Sequence, residues 1–202
     1  MAAEKRDSRD WTLGLASFWD MRAKLAWEVR QVESLAGRPV PIGPEYEDGA
    51  EQALLFAAAN AFATAWHLME WLAFHAEKDA LWSRFERLAG RPINNKNELK
   101  SWVLEVPEMR HCCAICVATK HVSLSDPELR GLNLSIPIFF DFFVSNHGGH
   151  FRHSVQRTAH VVSEADGFRG TVTVVGLLAD IQRWWDWLVA EVQLPAYPRL
   201  RN

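Results

Sequence analysis

The sequence predicts a mainly α fold, a helical bundle with a small β-hairpin or β insertion before the C-terminal helix. Residues 50–77 contain no Gly or Pro and consist mostly of Ala, Leu, Phe and Trp, which favours a long buried helix. Residues 122–175 carry β-branched and aromatic runs instead, and a helical apolar pattern resumes after them. The length of 202 residues suits a single domain, 1–202.

Composition narrows the classes of partner. The chain is 49% hydrophobic and 23% charged with a net charge of −3, so any contact with RNA requires a local basic patch. Residues 1–10 are polar and do not resemble a secretory signal, and charged residues interrupt the apolar stretch 50–74. The three Cys all lie within 112–116, which excludes a long-range disulfide framework. We therefore expect a cytoplasmic protein that does not enter a membrane.

The first helix is predicted over residues 8–36. Apolar residues recur there at alternating steps of four and three, and only Arg22 interrupts the stripe. Its charged end either reaches solvent or pairs with Glu70 of the central helix. Gly37 and Pro39 end this helix, and residues 37–49 form a loop.

The remaining helices and strands follow from caps, breakers and periodicity. After a bend at 77–79 we expect helix over 80–89, a short helix from Asn97 to Trp102, and a helix over 107–121. Residues 132–144 have the composition of a strand, with Pro137 at an edge or a break. Residues 157–163 and 171–175 flank EADGFRG, a hairpin signal. The last helix is predicted over 177–192.

A polar stripe on the central helix marks the first candidate site. At 100° per residue, Asn60, Thr64, His67 and Trp71 lie on one side of the helix, with Glu70 beside them. Unpaired polar groups in such a helix each cost roughly 1–3 kcal/mol, so this stripe needs partners.

The end of helix 107–121 offers those partners. If this helix packs antiparallel to the central one, Lys120 and His121 meet His67 and Glu70 and form a candidate catalytic set for acid–base chemistry or phosphate binding. The same side chains also suit a structural network, in which Glu70 pairs with Lys120 and His67 contacts a backbone carbonyl.

Several short sequence segments resemble those of a group of bacterial proteins related to HEPN domains. These segments are NAFATAWHLMEWL, the Cys-rich ICVATKH, a DG hairpin and the closing WWDWL. The resemblance that they carry covers roughly residues 50–125 and 157–190. The resemblance implies a helical bundle, often dimeric, that works in defence, toxin–antitoxin or RNA-processing systems.

The chain departs from that group at the nuclease motif. HEPN ribonucleases carry an Arg and a His separated by four to six residues, and no Arg in this sequence has a His at that spacing. The nearest pair, Arg152 and His160, has seven residues between and falls in the predicted β region. The resemblance therefore does not extend to RNA cleavage.

A second candidate is a zinc site. His147, His150 and His153 are spaced three apart around two Gly, which indicates a flexible loop. Cys113 and Cys116 form a C-x-x-C pair, with His111 and His121 nearby, and zinc takes such ligands. Free Cys in a helix is also an ordinary core residue, and no second C-x-x-C is present, so metal is not the favoured interpretation.

A third candidate is a basic and aromatic patch that would bind single-stranded nucleic acid through Arg152, Arg157 and Arg169. Phe151, His153 and Phe168 accompany these residues and could stack on bases. A solvated face beside the hairpin explains the same composition.

The leading hypothesis is a HEPN-like interaction or scaffold subunit of an RNA-linked, antiviral or toxin–antitoxin system. Its partner would be another protein or a second copy of the chain, with RNA as a further candidate. Ten Trp, the very apolar central helix and the missing nuclease pair motivate it. One alternative is a non-standard ribonuclease or phosphotransfer toxin, and another is a zinc-binding sensor. No cofactor is expected, because no nucleotide-binding or nucleophile motif is present.

Overall fold

The computed structural model describes residues 15, 17–38, 49–118, 133–135, 138–147, 150–165 and 168–196, with the side chains at 118, 133–157 and 163–169 left out of the description. The fold is mainly helical with a sheet before the C-terminal helix, as predicted. The elements in chain order are α1 (Phe18–Ala36), α2 (Gly49–Lys78), α3 (Trp82–Ala89), α4 (Lys96–Val103), α5 (Pro107–Ala118), β1 (Asn133–Ser135), β2 (Ile138–His147), β3 (His150–Ala165), β4 (Phe168–Thr173) and α6 (Val174–Glu191).

Helix α1 begins ten residues later than the sequence pattern predicted. Ser17 is its N-cap, with an extended backbone at φ −152° and a hydroxyl that accepts a hydrogen bond from the N–H of Asp20. That bond satisfies one of the free N–H groups of the first turn, so α1 starts at Phe18 and the prediction of one continuous helix over 8–36 was wrong at Ser17. Residues 8–14 of that prediction lie outside the described residues. The predicted end before Gly37 is confirmed.

Helix α2 spans almost the predicted range and ends in a left-handed turn. Ala80 has φ 53°, and the N–H of Leu81 donates to the carbonyl of Ala76, which closes the end of the helix. The bend at 77–79 is therefore confirmed, but helix α3 starts at Trp82 and not at Ala80. The reason is that a left-handed residue cannot continue a right-handed helix.

Helices α1 and α2 form an antiparallel hairpin. The backbone N–H of Phe18, at the start of α1, meets His75 near the end of α2, and Lys24 contacts Thr64 further along. Helix α5 packs on another side of α2, where the thiol of Cys112 donates to the carbonyl of Phe62 over 3.3 Å. Helix α2 is thus covered by its neighbours on more than one side.

Arg22 connects α1 to the C-terminal helix. Its guanidinium makes two hydrogen bonds to the carboxylate of Asp186 on α6, of 2.9 and 2.7 Å. The suggested pairing of Arg22 with Glu70 was therefore wrong, since α6 and not α2 lies beside the charged end of Arg22. The indole of Trp19 donates to the carbonyl of Pro195 and strengthens the same connection.

Strand β3 is the centre of the sheet. The short β1 and the longer β2 pair with successive parts of one edge of β3, and β4 pairs with its other edge, all antiparallel. The hairpin predicted around EADGFRG is confirmed as β3–β4, with Ala165 opposite Phe168.

A second hairpin, β2–β3, was missed by the sequence pattern. His147 pairs with His150, and the ladder continues from there to Ile138 opposite Ala159. We expected the segment that contains His147, His150 and His153 to be a flexible loop. Instead, His147 ends the ten-residue strand β2, and His150 begins the sixteen-residue strand β3. Pro137 lies outside the described residues, between β1 and β2.

One hydrophobic cluster joins the helices with the sheet. Its largest fully buried side chains include Trp185 of α6, Phe18 of α1, Phe62 of α2 and Phe85 of α3, and Ala159 and Val161 add the contribution of β3. Over the part of the chain that the structure describes, no helix is both long and apolar enough to cross a membrane.

Leu68 tests how far stability depends on the burial of α2. Leu68 is fully buried, whereas Leu55 on the same helix is only partly buried. We expect Leu68→Ala to lower the free energy of unfolding by about 2–5 kcal/mol, because it removes buried methyl groups and leaves a cavity. The matched change Leu55→Ala should cost clearly less, as measured by urea denaturation followed by circular dichroism. Equal losses would contradict the central position of α2 in the core.

Candidate functional site

The predicted catalytic set is only partly within the described residues. His67 is half-buried on α2, and Glu70 is exposed and forms an ion pair with Lys96 at the start of α4, with 2.7 Å between Nζ and Oε1. Both side chains of that pair are 52% exposed, so solvent screens it and its contribution to stability is small. Lys120 and His121 lie outside the described residues, and the convergence of the four side chains remains a prediction.

The predicted nucleic-acid patch lies on the sheet. Arg152 and Arg157 belong to β3, where they pair in register with Ser145 and Phe140 of β2. Arg169 belongs to β4, opposite Glu164. The side chains of the three Arg residues are not described, so their part in a basic surface stays a prediction.

The Cys residues are part of the core. Cys112, Cys113 and Cys116 are all buried on α5, and none of the three is in a disulfide. Burial raises the pKa of the Cys112 thiol well above its usual range, and zinc binds the thiolate form. His111 beside them is half-buried, and burial lowers its pKa.

No group of three potential ligand side chains suited to a metal ion is found among the residues that the structure describes. The remaining residues of the zinc hypothesis fall outside that description, either entirely (His121) or in their side chains (His147, His150 and His153).

A groove between α1 and α2 is the candidate site that the sequence pattern did not reveal. It has a volume of about 240 Å³ and is open to solvent on one side. Its lining residues are Trp27, Glu28, Gln31 and Leu35 of α1 and Ala57 and Asn60 of α2. Helical spacing explains the set, because residues 27, 31 and 35 follow one another at intervals of one turn along α1.

Glu28 is the unusual member of this groove. Its side chain is only 8% exposed, and its Oε1 accepts a hydrogen bond of 2.5 Å from Nζ of Lys24, one turn earlier in α1. Lys24 also donates to the hydroxyl of Thr64, which is 2% exposed on α2. The other carboxylate oxygen of Glu28, Oε2, is shielded from solvent and has no hydrogen-bond partner among the described residues.

Large apolar side chains are exposed beside the groove and further along the same side of α2. Trp27 in its wall is 56% exposed, and Phe56, next to the lining residue Ala57, is 67% exposed. Phe74 is 52% exposed, and because it follows Phe56 by eighteen residues, or five turns, it lies on the same side of α2. This surface, which we call the α1–α2 face, combines exposed aromatic rings with the buried carboxylate of Glu28.

His75 joins the start of α1 to the end of α2. Its ring is 1% exposed, and its Nε2 accepts a hydrogen bond of 3.3 Å from the backbone N–H of Phe18. Its Nδ1 lies 3.5 Å from the carboxylate of Asp79. Burial lowers the pKa of His75, although the carboxylate of Asp79 acts in the opposite direction. Since Nε2 must be unprotonated to accept, this is a structural contact of the neutral ring.

Comparisons with other proteins leave the family of this chain open. No protein-family model, no curated protein and no solved structure matches it. The likeness to HEPN domains therefore rests on the short sequence segments alone.

The contact of His75 predicts a loss of stability in acid. The pKa of His75 is lowered in the folded state, so the unfolded chain binds the proton more readily, and stability falls as the pH drops below about 6.5 and through the folded-state pKa. His75→Gln keeps an amide oxygen as acceptor but does not titrate. We expect the urea midpoint of the wild type to fall more between about pH 7.5 and about pH 5 than that of His75→Gln.

His67→Gln is the control for this measurement. It removes a half-buried histidine from the same helix but leaves the bond between Phe18 and His75 in place. The wild-type pH dependence should persist in this control. If His75→Gln retains it as well, the titrating group is not His75.

Proposed function

We propose that this chain is an interaction or scaffold subunit, related to HEPN domains, and that it binds a partner protein through the α1–α2 face. The observation that supports it is the exposure of Trp27, Phe56 and Phe74 on one side of the helical hairpin. Aromatic residues are enriched in the parts of interfaces that contribute most to binding. Exposed single apolar residues are common, but Trp27 lines and Phe56 adjoins a groove that also holds a buried carboxylate, and Phe74 lies further along the same side of α2.

The biological setting of the proposal comes from the resemblance. HEPN-related chains work in RNA-linked, antiviral and toxin–antitoxin systems, and this sequence lacks the Arg and His pair of their ribonucleases. A subunit that binds another component of such a system without cleaving RNA is consistent with both the resemblance and the missing Arg and His pair. Three buried Cys residues that are not in disulfides suit a reducing compartment, and a cytoplasmic location belongs to the same proposal.

A photo-crosslinking residue at position 56 tests the interaction. With benzoylphenylalanine in place of Phe56, we expect one discrete crosslinked product with a different protein in the cells that express this chain, because position 56 projects beside the groove. The same residue in place of Trp187, a 45% exposed aromatic position on α6, is the matched control and should not give that product. Mass spectrometry of the product identifies the partner.

Two outcomes would contradict this proposal. Identical diffuse products from both positions would show that the α1–α2 face captures proteins without specificity. A product formed by two copies of this chain would replace the separate partner with a homodimer, which light scattering on the purified protein would then confirm.

Assays of RNA cleavage distinguish the interaction subunit from the enzyme hypothesis. If the chain only binds, wild type and His121→Ala should cleave RNA equally little, because no catalytic set is in use. Cleavage by the wild type that is lost in His121→Ala, and also in His67→Ala, would support the non-standard ribonuclease instead. Residual cleavage that is equal in all variants indicates a contaminating nuclease and leaves the interaction proposal in place.

A further inference from the structure

The carboxylate of Glu28 has a capacity for hydrogen bonds that the described residues do not use. An ionised carboxylate offers about four acceptor positions, and the contacts of Glu28 are a single bond from Lys24 to Oε1. Leaving the buried Oε2 without a donor is unfavourable, and more so where the group is charged. A binding partner that supplies the missing donor would remove this unfavourable contribution.

Three cations of α1 near the groove, among the residues that the structure describes, do not donate to Oε2 of Glu28. Lys24 divides its ammonium between Oε1 of Glu28 and Thr64. Arg22 makes two hydrogen bonds to Asp186 on the side of α6. Arg30 is exposed and stands two residues beyond Glu28, about 200° around the helix axis. A binding partner that carries a donor therefore fits the acceptor left at Oε2.

Resting on the interaction function proposed above, we propose that the groove receives an arginine side chain of the partner protein. The volume of about 240 Å³ lies below the roughly 300–1,000 Å³ of small-molecule pockets and suits one long side chain. A guanidinium carries five donors and is weakly hydrated, so it can bond Glu28 and the side-chain amide oxygens of Gln31 and Asn60 together. The exposed indole of Trp27 offers a face on which a guanidinium stacks.

Binding in this way requires a local movement. Because Oε2 is shielded from solvent, the Glu28 side chain or a side chain beside it in the groove wall, such as Trp27, must rotate before a donor reaches it. Trp27 is more than half exposed, so its rotation disturbs little of the core. The environment of the Trp27 indole therefore changes on binding and reports it.

Fluorine NMR of the protein labelled with 5-fluorotryptophan tests this site. The probes are a short capped peptide with one arginine between two leucines and the same peptide with citrulline, a neutral analogue of equal shape, at that position. Trp27→Phe assigns the Trp27 signal. We expect the arginine peptide to shift this signal with an affinity about tenfold or more above that of the citrulline peptide, because only the former brings a charge to Glu28.

Variants of two glutamates on α1 supply the matched comparison. Glu28→Gln removes the carboxylate charge and should abolish the preference for arginine, whereas Glu33→Gln changes an exposed glutamate of the same helix and should preserve it. Circular dichroism verifies that each variant is folded. The comparison of the two peptides on the wild type needs no variant and keeps the proposal testable if Glu28→Gln does not fold.

The outcomes separate this inference from the interaction function on which it rests. Equal affinity for both peptides, no binding of either, or an arginine preference that persists in Glu28→Gln would overturn the arginine site, even if crosslinking from position 56 identifies a partner. A confirmed arginine preference without any specific crosslink would retain the site and reject the scaffold function. A dimer that Glu28→Gln dissociates would assign the groove to a second copy of this chain and overturn the separate partner.

Discussion

The burial of helix α2 is the constraint on which the rest of this structure depends. Its thirty residues are so apolar that the helix is stable in water only when neighbours cover it, and α1, α4, α5, α6 and strand β3 all contact it. Several polar groups on the surfaces where α2 meets its neighbours are paired there. Thr64 accepts from Lys24, His75 accepts from the N–H of Phe18, and the carbonyl of Phe62 accepts from Cys112.

Helix α1 covers only part of the surface of α2. Ala57 lines the groove against α1 and His75 meets the start of α1, so α1 runs beside α2 between these two levels. Phe56 and Phe74 each precede one of these residues and stand about 100° around the α2 axis from it, where they stay exposed. The same packing that buries most of Glu28 also leaves its Oε2 without a donor among the described residues, which is unfavourable for a buried polar group.

Local sequence signals predicted the helices and turns whose bounds depend on residues close together in the chain. The long run without Gly or Pro predicted α2, Gly37 marked the end of α1, and the DG turn marked β3–β4. The β2–β3 hairpin escaped prediction although the Gly-Gly pair between His147 and His150 is a local hairpin signal, because the two Gly were interpreted as a flexible loop. A side-chain cap at Ser17 also outweighed the apolar periodicity from which we predicted a start at residue 8, since periodicity describes a face but not where a helix starts.

The sequence by itself determined the fold class, because apolar periodicity and breakers act within a few residues along the chain. It also determined that the Arg and His pair of HEPN ribonucleases is missing. Only the tertiary structure decided which polar groups meet. Arg22 pairs with Asp186 across 164 positions, and Glu28 enters a groove whose other wall lies about thirty residues away in the chain. Such contacts depend on the relative placement of helices, and that placement results from the packing of the whole core.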